Sequence, residues 1–344
     1  MNLLLFNFES NENSQALGFA LDWINEIAKN VDKLYVVSLR CGDYKVEKNV
    51  EIYCINQNTK NKLQTIIAIW KILTYIHSKD KNISGYFVHM AHYFVPLIYP
   101  FAKIYNQKIL LWYAHKSVPI TLSIAGALVN KIISISSQSM RLKINKFEAV
   151  GHGIDTSKFF FKDDFKSKIK NIVTVGRISK VKNIDMIVKS FIALQNKNLC
   201  LYIVGDVLVE EDNKYLENIK KSIPMEYENN IIFTGSISFE KLPEIYKDID
   251  LAINISDTGS LDKTIIEPMS MGIPVVTSND SAKEIFTHLE GNGVWLLKDK
   301  NELESVLQNL LVKDLDFDRE TLRQEIVQNH SLEKLAKKII GEFR

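Results

Sequence analysis

The stretch Ile172-Val-Thr-Val-Gly176-Arg177-Ile-Ser-Lys180-Val-Lys182-Asn183-Ile184 reads as a buried strand, a tight turn and the start of a helix. Four apolar or β-branched residues precede Gly176. Ile184, Ile187, Val188 and Phe191 then recur at the i, i+3, i+4, i+7 spacing of one helical face. Asn183 is a good N-cap by residue type. A strand end, a Gly turn and a helix N-terminus together make an anion site, because unpaired backbone N–H groups and the helix dipole meet at one point. Arg177 and Lys182 add two cations, a pattern suited to a diphosphate, whereas Lys180 reads as a solvated turn residue.

Outward from this turn the same alternation of short apolar runs and helix-period segments fills the chain, as parallel sheets with crossover helices require. Strands are read at Leu3 to Phe6, Lys33 to Ser38, Glu51 to Cys54, Tyr86 to His89, Lys108 to Tyr113 and Lys131 to Ser136. After the Gly-punctuated segment Gly151-His152-Gly153-Ile154-Asp155 the pattern restarts, with strands at Asn171 to Val175, Cys200 to Val204, Ile231 to Thr234, Leu251 to Ile255 and Pro274 to Thr277. The expected fold class is therefore α/β, with two Rossmann-like, doubly wound parallel-sheet domains facing a cleft. Residues 1–155 form the first, 156–330 the second, and 331–344 a C-terminal helix packing back toward the first. Open sheets of this kind take ligands at the carboxyl ends of their strands.

The 344 residues, 46% hydrophobic and 24% charged, suit two such domains. Lys plus Arg (43) nearly balance Asp plus Glu (41), which argues against nucleic acid as a partner. The balance hides a split, since residues 1–150 hold 17 Lys/Arg against 10 Asp/Glu. Cys41, Cys54 and Cys200 show no Cys-x-x-Cys pair, so neither a disulfide framework nor a zinc site is expected, and a cytoplasmic setting fits. The N-terminus lacks the cationic, apolar pattern of a signal peptide. The uncharged run Asn82 to Ala102 contains His89, His92, Pro96 and Pro100 and reads as a buried strand entering a Pro-broken helix rather than a membrane span. His89 and His92 have a metal-like spacing with no Glu after them, and no metal is expected.

A second constellation is Ser260-Leu-Asp262-Lys263-Thr264-Ile265-Ile-Glu267-Pro268-Met-Ser-Met-Gly272-Ile-Pro274. It reads as a loop entering a short helix that Gly272 and Pro274 end. Glu267, near the helix start, has two readings: a dipole-stabilised surface carboxylate, or an acceptor for both hydroxyls of a ribose.

The order of these pieces resembles the retaining glycosyltransferases of family 4, the group 1 glycosyltransferases with the GT-B fold. The matching segments are Gly151-His-Gly-Ile-Asp155, Val175-Gly-Arg177 with Lys182, Ile203-Val-Gly205-Asp206, Phe233-Thr-Gly235-Ser-Ile237, Asp250-Leu-Ala-Ile-Asn254 and Glu267-Pro-Met-Ser-Met-Gly272-Ile-Pro-Val-Val276. The resemblance implies that Arg177 and Lys182 grip the donor diphosphate, Glu267 the ribose, and the backbone near Ile237 the nucleobase. In the first half it runs through Leu110-Leu-Trp112-Tyr113-Ala-His115-Lys116 and implies His115 beside the reacting sugar. The donor implied is a nucleoside diphosphate sugar, UDP or GDP most readily, used without a metal or other cofactor. The acceptor implied is a hydroxyl of a glycan or lipid-linked glycan. A nucleotide-sugar 2-epimerase and a non-catalytic subunit of the same fold are the alternatives. Asp248-Ile-Asp250 has the spacing of a metal motif but sits where a helix hands over to a strand, and is read as a turn.

Two departures stand out. The Gly pair the family carries after its first strand is absent, and the Gln15-Ala16-Leu17-Gly18 turn is expected to replace it, with N–H groups at the next helix start facing the pyrophosphate. The Glu that the family places eight residues before the one matching Glu267 is Gly259 here. Asp262 is expected to stand in, as N-cap, as sugar contact or as both, with Lys263 and the N–H groups of Thr264 and Ile265 near the β-phosphate. The segment Thr59 to Lys81 carries Leu63, Ile66, Ile67, Trp70, Leu73 and Ile76 beside Lys60, Lys62, Lys71 and Lys79. Core packing is the simpler account of that stripe, and peripheral contact with an anionic membrane, at its cytoplasmic face, the other.

Overall fold

The computed structural model describes residues 1–14, 17–55, 61–161, 168–312 and 317–344. It divides into two compact units, one of Met1–Gly153 with Ser331–Arg344, the other of Ile154–His330. Gln15, Ala16, Thr59 and Lys60, which entered the readings above, lie outside the described residues.

The first unit holds strands β1 (Asn2–Ser10), β2 (Lys33–Cys41), β3 (Val50–Cys54), β4 (Ile83–His89), β5 (Lys108–Trp112), β6 (Lys131–Ser134) and β7 (Phe147–Ala149). Its helices are α1 (Ala20–Ala28), α2 (Lys62–Lys79), α3 (Val95–Ile104) and α4 (Ile120–Leu128). Among the described residues the strands form one sheet in the order β3-β2-β1-β4-β5-β6-β7. Every pairing is parallel. Leu4, Phe6, Val88 and Leu111 on one side of it are buried under Ile69, Leu73 and Ile76 of α2, Ile98 of α3 and Leu122 of α4. The C-terminal helix Leu332–Gly341 completes this unit, opening on Ser331, whose hydroxyl accepts from Lys334 N–H. It packs against α1, and a Cβ on Gly153 would meet Leu332 and Leu335 at 2.9 Å.

The uncharged run from Asn82 is β4 followed by α3, as read, but α3 runs through Pro100 instead of breaking there. No helix among the described residues is long and apolar enough to cross a membrane. The cysteine reading is corrected. Cys41 and Cys54 form a disulfide, with Cα atoms 6.0 Å apart. They are far apart in sequence pattern but end adjacent parallel strands, and tertiary adjacency decides disulfide geometry. The cysteine argument for a reducing compartment falls with it.

The second unit holds β8 (Asn171–Val175), α5 (Ile184–Ala193), β9 (Cys200–Val204), α6 (Asn213–Ser222), β10 (Ile231–Gly235), α7 (Leu242–Lys247), β11 (Leu251–Asn254), α8 (Lys263–Ser270), β12 (Val275–Thr277), α9 (Asp280–Phe286), β13 (Val294–Leu296), α10 (Leu303–Val312) and α11 (Arg319–Asn329). The sheet order β10-β9-β8-β11-β12-β13 places the topological switch point between β8 and β11. Sequence reading missed β7, β13 and the helices α9 to α11. The two strands are only three residues long, and α11 buries only Leu322 and Ile326, too few to set a period.

Candidate functional site

Three glycines end three neighbouring strands of the second unit. Gly176 N–H bonds to Val204 O (2.9 Å) and Gly205 N–H to Gly235 O (3.0 Å), stepping across β8, β9 and β10. Gly205 has φ of +136°, and a Cβ there would lie 2.1 Å from Gly176 O, so no larger residue fits between the turns.

Beyond Gly176 the chain turns through Arg177 to a 3-10 turn at Lys180–Lys182 and then α5. Arg177 is exposed and has no ion pair among the described residues. The stem of Lys182 lies over Gly176, 3.3 Å from where a Cβ would sit. Its ammonium bonds to Asp262 Oδ2 at 2.6 Å, with both side chains largely buried. Asn183 corrects the cap reading: φ is +53° and its side chain does not cap α5. Its Nδ2 instead donates to Ile255 O (2.8 Å) and Asp257 Oδ2 (3.0 Å), tying this turn to the loop after β11.

That loop carries the second constellation. Asp262 occupies the N-cap position of α8 without a side-chain cap bond. Its carboxylate instead accepts from Lys182, from Asn254 Nδ2 (3.0 Å) and from Thr258 Oγ1 (3.0 Å). Burial pushes the Asp262 carboxyl up, but the Lys182 charge and these bonds outweigh it and hold the carboxyl below its usual value. Asn254 Nδ2 also reaches Thr264 Oγ1 at 2.9 Å. The sequence alone gives Asn254 a place in a motif but no role. Its place at the carboxyl end of β11, beside the switch point, is the signal that marks it. Ile265 N–H is committed to Asp262 O (3.0 Å), which leaves Thr264 rather than Ile265 as the first-turn donor of the expected pair. Gly259 has φ of +75°, and the loop is pinned at Gly259 O by Ser281 Oγ (3.0 Å) and at Ser260 O by Asn279 Nδ2 (2.7 Å).

Glu267 lies one turn into α8 and is 2% exposed, with Oε2 unpartnered among the described residues. Burial is the main cause that raises its pKa to about 7. Lys263 pulls it down and Asp262 pushes it up. This is not an exposed dipole-stabilised carboxylate. A buried carboxylate oxygen without a partner is costly, and hydroxyl donors would satisfy it. Tyr246 of α7, also buried and with a hydroxyl unpartnered among the described residues, has its pKa pushed up by burial and then by the Glu267 charge. Lys263 Nζ lies 6.0 Å from the Phe239 ring, which follows the Ser236–Ser238 loop containing half-buried Ile237. Gly176, Arg177, Lys182, Asp262, Lys263, Thr264 and Glu267 thus share one edge of one sheet.

Gly18 and His115 belong to the first unit. Gly18 N–H bonds to Ser14 O (3.0 Å), and a Cβ would sit 2.9 Å from that oxygen, so the N–H is directed into its own turn rather than outward. The buried trio Asn7, Ser10 and Ser38 lies nearby at the ends of β1 and β2, a polar cluster not singled out from sequence. His115 is exposed in the loop after β5, where its Nδ1 accepts from Ser117 N–H (3.0 Å) and pairs with Ser117 Oγ (2.7 Å). With Nδ1 an acceptor, the neutral ring carries its proton on Nε2. His89 packs on Trp23 with ring centres 4.6 Å apart, whereas His92 Nε2 bonds to Thr121 Oγ1 (2.8 Å), so the two serve different partners. Asp250 accepts from the N–H groups of Lys170 and Asn171, both 2.9 Å, which makes the Asp248–Asp250 segment the turn expected.

Residues 169–313 match the family described as "Glycosyl transferases group 1". An uncharacterized glycosyltransferase of Methanocaldococcus jannaschii is 30% identical over 210 residues, 58% of this chain and 46% of that protein. Mannosylfructose-phosphate synthase of Agrobacterium fabrum is 26% identical over 151 residues, 40% of this chain and 33% of the synthase. The chain therefore spans less than half the length of either curated relative. Among solved structures, Anabaena HepE in complex with UDP and glucose aligns with a TM-score of 0.73 at 15% identity, covering 99% of each chain. Over residues 169–313 this chain thus matches the group 1 glycosyl transferases, and its two parallel-sheet units have the fold of GT-B glycosyltransferases.

Proposed function

We propose that the protein is a metal-independent, retaining glycosyltransferase that moves a sugar from a nucleoside diphosphate sugar to a hydroxyl of a glycan or lipid-linked glycan. The observation that carries this reading is the pairing, on one sheet edge, of a cationic Gly turn with a buried carboxylate, Glu267, whose Oε2 lacks a partner among the described residues. Arg177 and Lys182 face the diphosphate, and Glu267 accepts from the ribose hydroxyls. Negative charge grows on the β-phosphate as the glycosidic bond breaks, and preorganised cations and the Thr264 N–H lower that barrier. Asp262 holds Lys182 in position, and His115 Nε2–H donates to a hydroxyl of the transferred sugar. The UDP in the HepE structure supports a nucleotide donor.

The test is release of nucleoside diphosphate from a panel of UDP and GDP sugars. Arg177→Ala and Lys182→Ala are each expected to keep the fold and lose one to two decades of turnover, since a charge-assisted phosphate contact contributes about 1.5–3 kcal/mol. Turnover at the wild-type rate in both variants would refute the assignment.

A further inference from the structure

The stripe on α2 divides in the structure. Ile69, Leu73 and Ile76 are buried in the first unit's core, but Leu63, Ile67 and Trp70, at the i, i+4, i+7 spacing of a different face, are 66%, 46% and 45% exposed. They do not stand alone. The neighbouring helix α3 packs against α2 on one side and α4 on the other, all over the same face of the sheet. On these helices Ile104 is 74%, Ile120 81% and Ile124 46% exposed. Trp70 is anchored at its inner edge, with Nε1 donating to Leu97 O of α3 at 3.0 Å. The outer face of this three-helix layer is thus an apolar surface spread over all three elements, well beyond scattered single residues.

Its charge has one sign. The charged residues of the three helices are Lys62, Lys71, Lys79 and Lys103, of which Lys79 pairs with Glu51, and the one acidic residue between positions 52 and 147 is Asp80. The Asp80 carboxylate is already engaged by Asn2 and Tyr35. Lys62 and Lys71 flank the α2 stripe, and exposed Lys103 precedes Ile104. Protruding aliphatic and indole groups ringed by lysines, without any carboxylate on the helices, match an interface where acyl chains lie beneath anionic headgroups. From this geometry we infer that the outer face of α2, α3 and α4 docks on an anionic lipid bilayer. The inference stands apart from the proposed catalysis, which resides on the second unit's sheet edge.

Vesicle sedimentation of the full chain tests it, comparing phosphatidylcholine with phosphatidylcholine containing phosphatidylglycerol, at low and high salt. Wild type is expected to bind the anionic vesicles, with binding falling as salt rises and Trp70 emission shifting to the blue. The triple variant Leu63→Gln, Ile104→Gln, Ile120→Gln changes only well-exposed side chains. It should melt like wild type and lose at least tenfold in vesicle affinity. Lys62→Gln with Lys71→Gln is expected to lose about fivefold per lysine. Met225→Gln with Val312→Gln, equally exposed on the second unit, should change nothing. Equal recovery with neutral and anionic vesicles, or wild-type binding by the triple variant, would overturn the inference. So would concentration-dependent dimerisation that the triple variant abolishes without any vesicle binding, which would assign the face to a second copy.

Discussion

Two carboxylates five residues apart sit in opposite electrostatic situations. Asp262 is held ionised by Lys182, Asn254 and Thr258, whereas Glu267 is buried with one oxygen unpartnered and its pKa raised to about 7. A raised acid pKa means that the folded state resists ionisation, so Glu267 costs stability above pH 7. That cost is relieved as pH falls through 7 and is gone below its ordinary value near 4.5. Glu267→Gln should therefore be more stable than wild type at pH 8, by on the order of 2–3 kcal/mol, with the gain vanishing near pH 5. Its nucleotide affinity should fall at the same time. Thermal melts across pH check the sign; a Gln variant less stable than wild type at pH 8 would show that Glu267 is already satisfied. For Asp262 the structure separates cap from clamp. Asn caps a helix about as well as Asp, so Asp262→Asn would leave stability unchanged if capping were its role. As the partner of Lys182 it should lose about 1.5–3 kcal/mol, and a double-mutant cycle with Lys182→Met should show most of that loss to be shared.

At the scale of elements, the sequence was most legible where a strand, a Gly turn and a helix follow each other within a dozen residues. β8, the Gly176 turn and the start of α5 at Ile184 fall where the sequence places them, because local periodicity and burial point the same way there. What escaped was set by tertiary contacts. Asn183 looks like a cap, yet its side chain reaches the loop after β11. Asp262 looks like a cap too, but its carboxylate is drawn to a lysine 80 residues earlier. The loop between β11 and α8 also accounts for the missing Glu. Gly259 takes φ of +75°, where an L side chain costs roughly 1–2 kcal/mol, and its carbonyl is pinned by Ser281. Gly259→Glu should therefore lower stability by about that amount without raising turnover. A variant that melts like wild type and turns over faster would mean that the loop relaxes and that the carboxylate is the missing sugar contact.

For the whole molecule, two parallel sheets followed from alternation alone, and the strand order of the second unit, seen only in the structure, places every cationic and acidic candidate of that half on one edge. The Cys41–Cys54 pair did not follow, because it depends on which strand ends become neighbours. Nor did the exposed outer face of α2, since a helix apolar on two faces gives a periodicity that does not say which face is covered. The central claim is that the Gly176 turn and Glu267 form one nucleotide site. It is tested most directly by calorimetric titration of UDP, GDP and their parent nucleosides into wild type, Lys182→Ala and Glu267→Gln. Lys182→Ala should weaken the preferred diphosphate at least tenfold while leaving the nucleoside's affinity unchanged, and Glu267→Gln should weaken both. Wild-type affinity for the diphosphate in both variants would contradict it.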